Sequence, residues 1–262
     1  MKMMKRVLAL LAIVAMMLTM AACGAAKTDS EYVKDKGTLV VGITDFAPMD
    51  YQNANGEWIG FDADLAKAFA KSLGVEVEFS VITWGQKHNE LDAKNIDVVW
   101  NGMTITDDVK ALMDVSNPYC KNAQVVVMKA DTAAKYTTVE GMKELRFAVE
   151  DGSAGEEVAV ANGFTTVPVE DQAKTLMEVK SGTSDAAIVD LLMAGAMIGE
   201  GTDYADLVYT LELNSEDYGI GFRKGSDLVA LLNDFLVDAY ADGTIAQLAN
   251  TYKIANNVVE QK

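Results

Sequence analysis

The chain has 262 residues, a formal net charge of −17 and 50% hydrophobic residues. These values fit one large or two modest globular domains, and so acidic a chain is not suited to nonspecific binding of a nucleic-acid backbone or a bare anionic membrane surface. One histidine and two cysteines argue against a cysteine–histidine zinc site, a disulfide scaffold or a cysteine protease.

A targeting segment opens the chain. Three basic residues precede an apolar stretch of 14 residues, 7–20, which is too short for a comfortable membrane span. Cys23 follows two alanines in a segment that resembles a bacterial lipobox, whose cysteine becomes the lipid-modified first residue. We predict a lipoprotein signal peptide over residues 1–22, lipidation at Cys23 and a tether over residues 23–36. The alternative is a plain secretory signal with an incidental cysteine.

The remaining chain alternates between strand and helix patterns. The predicted strands cover residues 39–41, 75–81, 96–100, 124–128, 145–149, 167–169 and 186–189. The predicted helices cover residues 62–73, a stretch ending near 162, and residues 172–180, 191–198, 228–240 and 245–252. Asp62 is the expected N-cap of the first of these helices, and Gly74 is expected just after its end. The alternation predicts an α/β fold with parallel sheets flanked by helices.

Two parts of the chain repeat the same pattern in outline. Residues 90–101 and 178–190 each contain a helix end, a polar turn, an aspartate, an apolar strand and a final polar residue. This repeat predicts two similar α/β lobes. Because ligands bind beyond the carboxyl ends of the strands in such sheets, a cleft between the lobes is the expected site. Asn101 and Asp190 are expected to face it from opposite sides.

Four segments, in this order, resemble a known family. They are LVVGITDFAP at 39–48, GFDADL at 60–65, GMTITD at 102–107 and YGIGFRKGSD at 218–227. Together they resemble the polar amino-acid family of bacterial ABC-transporter solute-binding proteins (family 3). The resemblance implies a two-lobe periplasmic-binding-protein fold of type II with two hinge crossovers, around 126–130 and 218–222. Lobe 1 would then comprise residues 37–128 plus 221–262, and lobe 2 residues 129–220.

The resemblance also implies a function. Such a receptor captures an amino acid or amino-acid-like molecule by hinge closure and delivers it to ABC permease subunits. We expect an exported monomer, lipid-anchored to the outer face of the bacterial cytoplasmic membrane, with no catalytic residue, metal, cofactor or nucleic-acid partner. Two other classes stay open: an enzyme similar to cyclohexadienyl dehydratases, and a sensory or adhesive surface protein.

The family's ligand-contacting positions can be carried over to this chain. They are Asp45, Phe46, Trp84, Asn101, Gly102, Thr104, Gly152, Ser153, Ala154 and Asp190. The resemblance implies that Asp190 takes the ligand's α-ammonium, that Trp84 stacks on the ligand, and that the segment around Thr104 binds a carboxylate. Each position also has an ordinary structural alternative, such as a turn, a core side chain or a helix cap.

One departure from the family concerns the ligand's carboxylate. Relatives place an arginine, which suits a bidentate carboxylate pair, where this chain has Val109. The other arginines of the mature chain, Arg146 and Arg223, do not easily replace it. The ligand is then either an amino acid held by helix amides, Thr104 and Ser153, or an amine without an α-carboxylate.

Overall fold

The computed structural model describes residues 27–262. The predicted signal peptide, residues 1–22, and the predicted lipidation site, Cys23, lie outside these residues. Within the described part of the chain, every helix is too short or too polar to cross a membrane.

The described residues form thirteen strands, ten α-helices and two 3-10 turns. The strands are β1 Thr38–Ile43, β2 Tyr51–Gln52, β3 Trp58–Ile59, β4 Glu76–Val81, β5 Val98–Thr104, β6 Asp114–Val115, β7 Cys120–Asn122, β8 Gln124–Lys129, β9 Arg146–Glu150, β10 Thr165–Val169, β11 Ala186–Asp190, β12 Leu207–Glu212 and β13 Glu216–Phe222. The helices are α1 Asp29–Lys36, α2 Phe61–Leu73, α3 Lys87–Asp92, α4 Asp107–Leu112, α5 Ala130–Ala133, α6 Ala154–Ala161, α7 Gln172–Ser181, α8 Leu191–Met197, α9 Leu228–Ala241 and α10 Thr244–Thr251. The 3-10 turns are Trp84–Gln86 and Glu140–Met142.

Two separate sheets confirm the prediction of two α/β lobes. The lobe 1 sheet has the order β4-β1-β5-β13-β6, with β7 also paired to β13. The lobe 2 sheet has the order β10-β9-β11-β8-β12. Each sheet has three parallel strands followed by antiparallel ones, so the expectation of wholly parallel sheets is wrong. The antiparallel strands arise because the chain crosses twice between the lobes.

The two crossovers lie a few residues before the predicted positions. The chain leaves the first sheet after β7 and enters the second at β8, so the first crossing falls at Ala123. It returns between β12 and β13, through residues 213–215. Residues 124–128 therefore pair in lobe 2 and residues 216–220 in lobe 1, unlike the predicted division. Because β7 is only three residues long and has the mixed sequence Cys-Lys-Asn, the hydrophobic pattern does not mark the first crossing point.

Part of the predicted tether is a helix. Thr28 and Glu31 form a capping box at the start of α1. The Ser30 backbone N–H donates to Asp227 at 2.9 Å, and Arg223 Nε donates to Asp29 at 2.9 Å. These contacts fix α1 to lobe 1, so residues 29–36 are not a flexible tether.

Strand β5 carries polar residues to the cleft face of lobe 1, and helix α2 packs against this strand. The predicted end of α2 is confirmed, since Gly74 adopts φ +77°. The predicted N-cap is wrong because Gly60 takes that place and Asp62 turns inward toward β5. Strand β5 runs through Thr104, past its predicted end at residue 100.

Candidate functional site

The candidate site is a cavity between the two lobes. It has a volume of about 30 Å³, room for one or two water molecules. Nine of the ten ligand contacts predicted from the sequence line it: Phe46, Trp84, Asn101, Gly102, Thr104, Gly152, Ser153, Ala154 and Asp190. Their role in binding stays a prediction. A molecule of amino-acid size can enter only when the lobes separate.

Asp190, at the end of β11, is a buried carboxylate surrounded by donors. It is 2% exposed. Its carboxylate accepts hydrogen bonds from Asn122, Gln124, Gln172 and Tyr218. Burial raises the pKa of Asp190 to about 8, the charge of Glu216 adds to this rise, and the hydrogen bonds oppose it. A cation entering the cavity would therefore favour the ionised carboxylate and release a proton near neutral pH.

Glu150, at the end of β9, is a second buried acid that the sequence interpretation missed. It is 2% exposed and lines the cavity, and its Oε1 has no hydrogen-bond partner among the described residues. Burial, followed by the charge of Asp190, raises the pKa of Glu150 well above its usual range. An unsatisfied buried oxygen costs about 1–3 kcal/mol, so a donor from a ligand would be stabilising here. The available signal was an acid ending an apolar strand, as at Asp190.

Asn101 and Gly102 line the cavity but commit their polar groups to lobe 1. The Asn101 side chain accepts hydrogen bonds from the backbone and hydroxyl of Thr44 and donates to Asp50 Oδ2 at 2.8 Å. The Gly102 backbone N–H donates to Asp62 Oδ2 at 2.7 Å. The amide predicted to bind a ligand carboxylate is thus already paired with a buried acid.

The hydroxyl groups of Thr104 and Ser153, which were predicted to contact the ligand, also have hydrogen-bond partners. Thr104 Oγ1 donates to Glu216 Oε1 at 2.9 Å. Ser153 caps α6, since its Oγ accepts the backbone N–H of Glu156 at 3.1 Å. The Glu156 carboxylate in turn accepts the Gly152 backbone N–H at 2.8 Å. Ser153 can still donate its hydroxyl proton into the cavity, whereas the Thr104 proton is already used.

Trp84 and Lys87 form the wall of the cavity at the start of α3. Trp84 is 6% exposed and belongs, with Val109, to an apolar cluster of lobe 1. The Lys87 Nζ lies 4.7 Å from the centre of the Trp84 ring, a cation–π distance. Among the described residues that line the cavity, Lys87 is the only cation. Sequence interpretation missed Lys87 because a lysine in a polar helix start resembles a solvated surface residue.

The lobes touch at two glycines. A Cβ atom on Gly152 would lie 2.7 Å from the Cα atom of Gly85, closer than real contacts allow. Beside this contact, Lys87 Nζ donates to the Gly152 carbonyl at 3.1 Å. Gly152 also has φ +69°, a conformation that favours glycine. Both the contact and the backbone conformation therefore require glycine at position 152.

Asp45 does not line this cavity. It lies in a separate depression together with Asp171 and Lys174. Burial and the charge of Asp171 raise the pKa of Asp45. Its pairing with the ligand ammonium stays a prediction; in this arrangement Phe46, and not Asp45, lines the cavity.

The position at which the family resemblance implies an arginine faces the site. Val109 lines the cavity and is 7% exposed. Arg223 is buried elsewhere, where it pairs with Asp29 and donates to the carbonyl oxygens of α3 and its following loop. Arg146 is exposed at the start of β9. Within residues 27–262, no cluster of three or more His, Cys, Asp or Glu side chains is suited to a metal ion.

Comparison with known proteins agrees with this architecture. Residues 39–255 match the bacterial extracellular solute-binding proteins, family 3. The L-cystine-binding protein TcyJ of Escherichia coli (strain K12) is 31% identical over 225 residues, which cover 84% of this chain and 84% of that protein. The arginine-binding extracellular protein ArtP of Bacillus subtilis (strain 168) is 30% identical over 252 residues, which cover 94% and 96%.

A solved structure shares the fold. The ancestral amino acid-binding protein AncCDT-1, described as a precursor of cyclohexadienyl dehydratase, is 33% identical and superposes with a TM-score of 0.77 over 85% of this chain and 98% of that one. The two-lobe fold is that of the type II periplasmic binding proteins. The chain therefore belongs to family 3 of the bacterial extracellular solute-binding proteins.

Proposed function

We propose that this protein is the substrate-binding lipoprotein of an ABC importer and that its ligand is an amino acid or an amino-acid-like molecule. The observation that carries the proposal is a cavity between two lobes with two buried carboxylates, Asp190 and Glu150, in its wall. A positively charged amino group offsets the desolvation of both acids. Relatives named for arginine and cystine support the ligand class.

The mechanism is capture by closure. When the lobes separate at the crossovers near Ala123 and residues 213–215, the cavity opens to solvent. A ligand stacks on Trp84 and directs its ammonium toward Asp190. The lobes then close until Gly85 meets Gly152, and the closed form docks on the permease. Only a ligand that contacts both lobes favours the closed state.

Thermal unfolding with a panel of amino acids and carboxylate-free amines tests this function. A ligand at about 100 times its dissociation constant adds about 2.7 kcal/mol to the free energy of unfolding. We expect at least one amino acid to raise the unfolding temperature of the purified protein, and Asp190→Asn to reduce that rise strongly. A panel without any stabilising compound contradicts the proposal. Stabilisation by amines alone favours the alternative, a receptor for ligands without an α-carboxylate.

The enzyme alternative has a direct test. AncCDT-1 is named a precursor of cyclohexadienyl dehydratase, and a dehydratase acting on prephenate or arogenate needs cations for the substrate carboxylates. Among the described residues, the wall of this cavity contains one cation, Lys87, together with the buried acids Asp190 and Glu150. We expect no aromatic product when the protein is incubated with prephenate or arogenate. Turnover of either compound would overturn a purely binding role.

The lipid anchor rests on the sequence of residues 18–24 alone. We expect full-length protein produced in bacteria to incorporate a labelled fatty acid and to remain with the membrane fraction. Cys23→Ser should lose the label and release the protein. Labelling that persists in Cys23→Ser would contradict anchoring at this residue.

A further inference from the structure

Most of the groups expected to hold a ligand carboxylate are occupied or absent, and of these groups only the neutral Ser153 hydroxyl can still donate into the cavity. The Gly102 amide donates to Asp62, and the Thr104 hydroxyl donates to Glu216. The position of the family's arginine is Val109, an apolar side chain in the cavity wall. A zwitterionic ligand therefore needs another cation in this cavity, because a buried carboxylate without a partner is costly.

Lys87 is positioned to be that cation. Its side chain lines the cavity and passes over the Trp84 ring. Its Nζ donates to the carbonyl oxygens of Trp84 and Gly152 at 3.4 and 3.1 Å. Among the described residues, none places a carboxylate oxygen within 4.0 Å of this ammonium. The charge on Lys87 is thus directed into the site without an acidic partner.

The charged groups around Lys87 leave its ammonium available to a negatively charged partner from a ligand. Burial lowers the pKa of Lys87, while the more distant charges of Glu150, Glu157 and Asp151 act in the opposite direction. Glu150 has an unpartnered oxygen in the same wall. A ligand that carries both a carboxylate and an ammonium satisfies Lys87 and the buried acids together, whereas an amine satisfies only the acids.

We propose that Lys87 binds the carboxylate of a zwitterionic ligand and so replaces the arginine that relatives use at position 109. This inference rests on the proposed function and deepens it by naming the residue that distinguishes an amino acid from the corresponding amine. Lys87 also meets lobe 2 at Gly152, so carboxylate binding and lobe closure involve the same ammonium.

Calorimetric titration with matched ligand pairs tests the proposal. The pairs are L-arginine with agmatine and L-lysine with cadaverine, in which the second member lacks only the carboxylate. For the pair that binds, we expect the native protein to prefer the amino acid by about tenfold or more. Lys87→Met should weaken amino-acid binding by about 30-fold or more, since a buried charge loses its partner. Amine binding should change by less than about threefold.

Two further variants make the result specific. Lys110→Met removes the same charge from an exposed side chain that pairs with Asp107, and it should leave both affinities unchanged. Val109→Arg in the Lys87→Met background should restore the preference for the amino acid, because position 109 also faces the cavity. Thermal unfolding of each variant without ligand checks that the fold is retained.

Different results separate this inference from the proposed function. Equal losses for amino acid and amine in Lys87→Met would make Lys87 a contact between the lobes only and would overturn the inference. A native protein that binds the amine as tightly as the amino acid would overturn it as well, while leaving a receptor function intact. If the native protein bound neither member of any pair nor any other amino acid, the proposed function would fail, and this inference with it.

Discussion

Apart from Asp97, which pairs with Lys36, each lobe buries two acids, and these two pairs have different surroundings. In lobe 1, Asp50 and Asp62 are enclosed by the core, and Asp62 accepts hydrogen bonds from Gly102 and Tyr119. In lobe 2, Glu150 and Asp190 are equally buried but line the cavity. Burial raises the pKa of all four carboxyls. Burial and a raised pKa alone therefore do not identify a binding site.

Access to the cavity distinguishes the two pairs. Asp50 and Asp62 each have an oxygen without a hydrogen-bond partner, but neither residue lines the cavity. Glu150 also lacks a partner for one oxygen, but its donor can come from a ligand. We therefore infer that the lobe 1 acids hold strand β5 in place through hydrogen bonds and that the lobe 2 acids contact the ligand.

Asp190→Asn should have the largest effect on binding. It removes the negative charge that faces the ligand's ammonium, and such losses in buried pairs cost about 2–5 kcal/mol. We expect the affinity for the best-binding amino acid to fall by about 30-fold or more in calorimetric titration. Asp62→Asn is the matched lobe 1 control and should change the affinity by less than about threefold. Similar losses in both variants would contradict the division between the pairs.

Gly152→Ala should have an intermediate effect, through closure of the lobes. The added methyl group would lie 2.7 Å from the Cα atom of Gly85, so the closed state becomes strained. We expect amino-acid affinity to fall by about tenfold. Gly163→Ala is the control, since Gly163 lies in lobe 2 with φ +73° and its Cβ would meet no atom within 4 Å. Equal effects in the two variants would show that backbone strain, not the contact between lobes, is responsible.

A smaller effect than those on affinity is expected on stability. The two acid pairs should contribute differently to the pH dependence of the free energy of unfolding. Burial raises the pKa of Asp62 to about 7 and that of Asp190 to about 8, against an ordinary value of 3.8. Such acids contribute stability that is complete below pH 3.8 and is lost as the pH rises through the folded-state pKa. The free energy of unfolding should therefore fall between pH 5 and 8, by at most about 1.4 kcal/mol per pH unit for each group.

Ligand binding should remove only the lobe 2 part of this loss. A bound cation favours ionised Asp190, so a saturating amino acid should flatten the pH dependence measured by urea unfolding. Asp62→Asn should remove a part of the slope that is the same with and without ligand. If the ligand also abolished the Asp62 contribution, the two pairs would be coupled, and the comparison between the lobes would fail.

Much of the fold could be predicted because its signals are local. The apolar strands and amphipathic helices, the glycine after α2 and the two-lobe repeat depend on residues close together in the chain. The crossovers could not be located, since pairing between strands that are distant in the chain decides which sheet each segment joins. The start of α2 was misassigned because Asp62 meets its partner, the Gly102 amide, only in three dimensions.

The residues of the candidate site could likewise be predicted only where their signal is local in the chain. Asp190 and Ser153 end or follow predicted elements, so their place at the cleft could be anticipated. Glu150 has a similar position, but recognising it required knowing that one of its oxygens lacks a partner. Recognising Lys87 as a site residue required knowing that its side chain passes over the Trp84 ring.

Asp45→Asn should have the smallest effect and tests the remaining disagreement between sequence and structure. The motif predicts that Asp45 contacts the ligand, whereas the structure places it in a separate depression beside Asp171 and Lys174. We expect the affinity for the best-binding amino acid to change by less than about twofold in calorimetric titration, because a half-exposed charge outside the cavity is screened by solvent. A loss comparable to that of Asp190→Asn would mean that the bound state turns Asp45 toward the ligand. Lobe 1 would then supply an acid of its own, and binding would not depend on the lobe 2 pair alone.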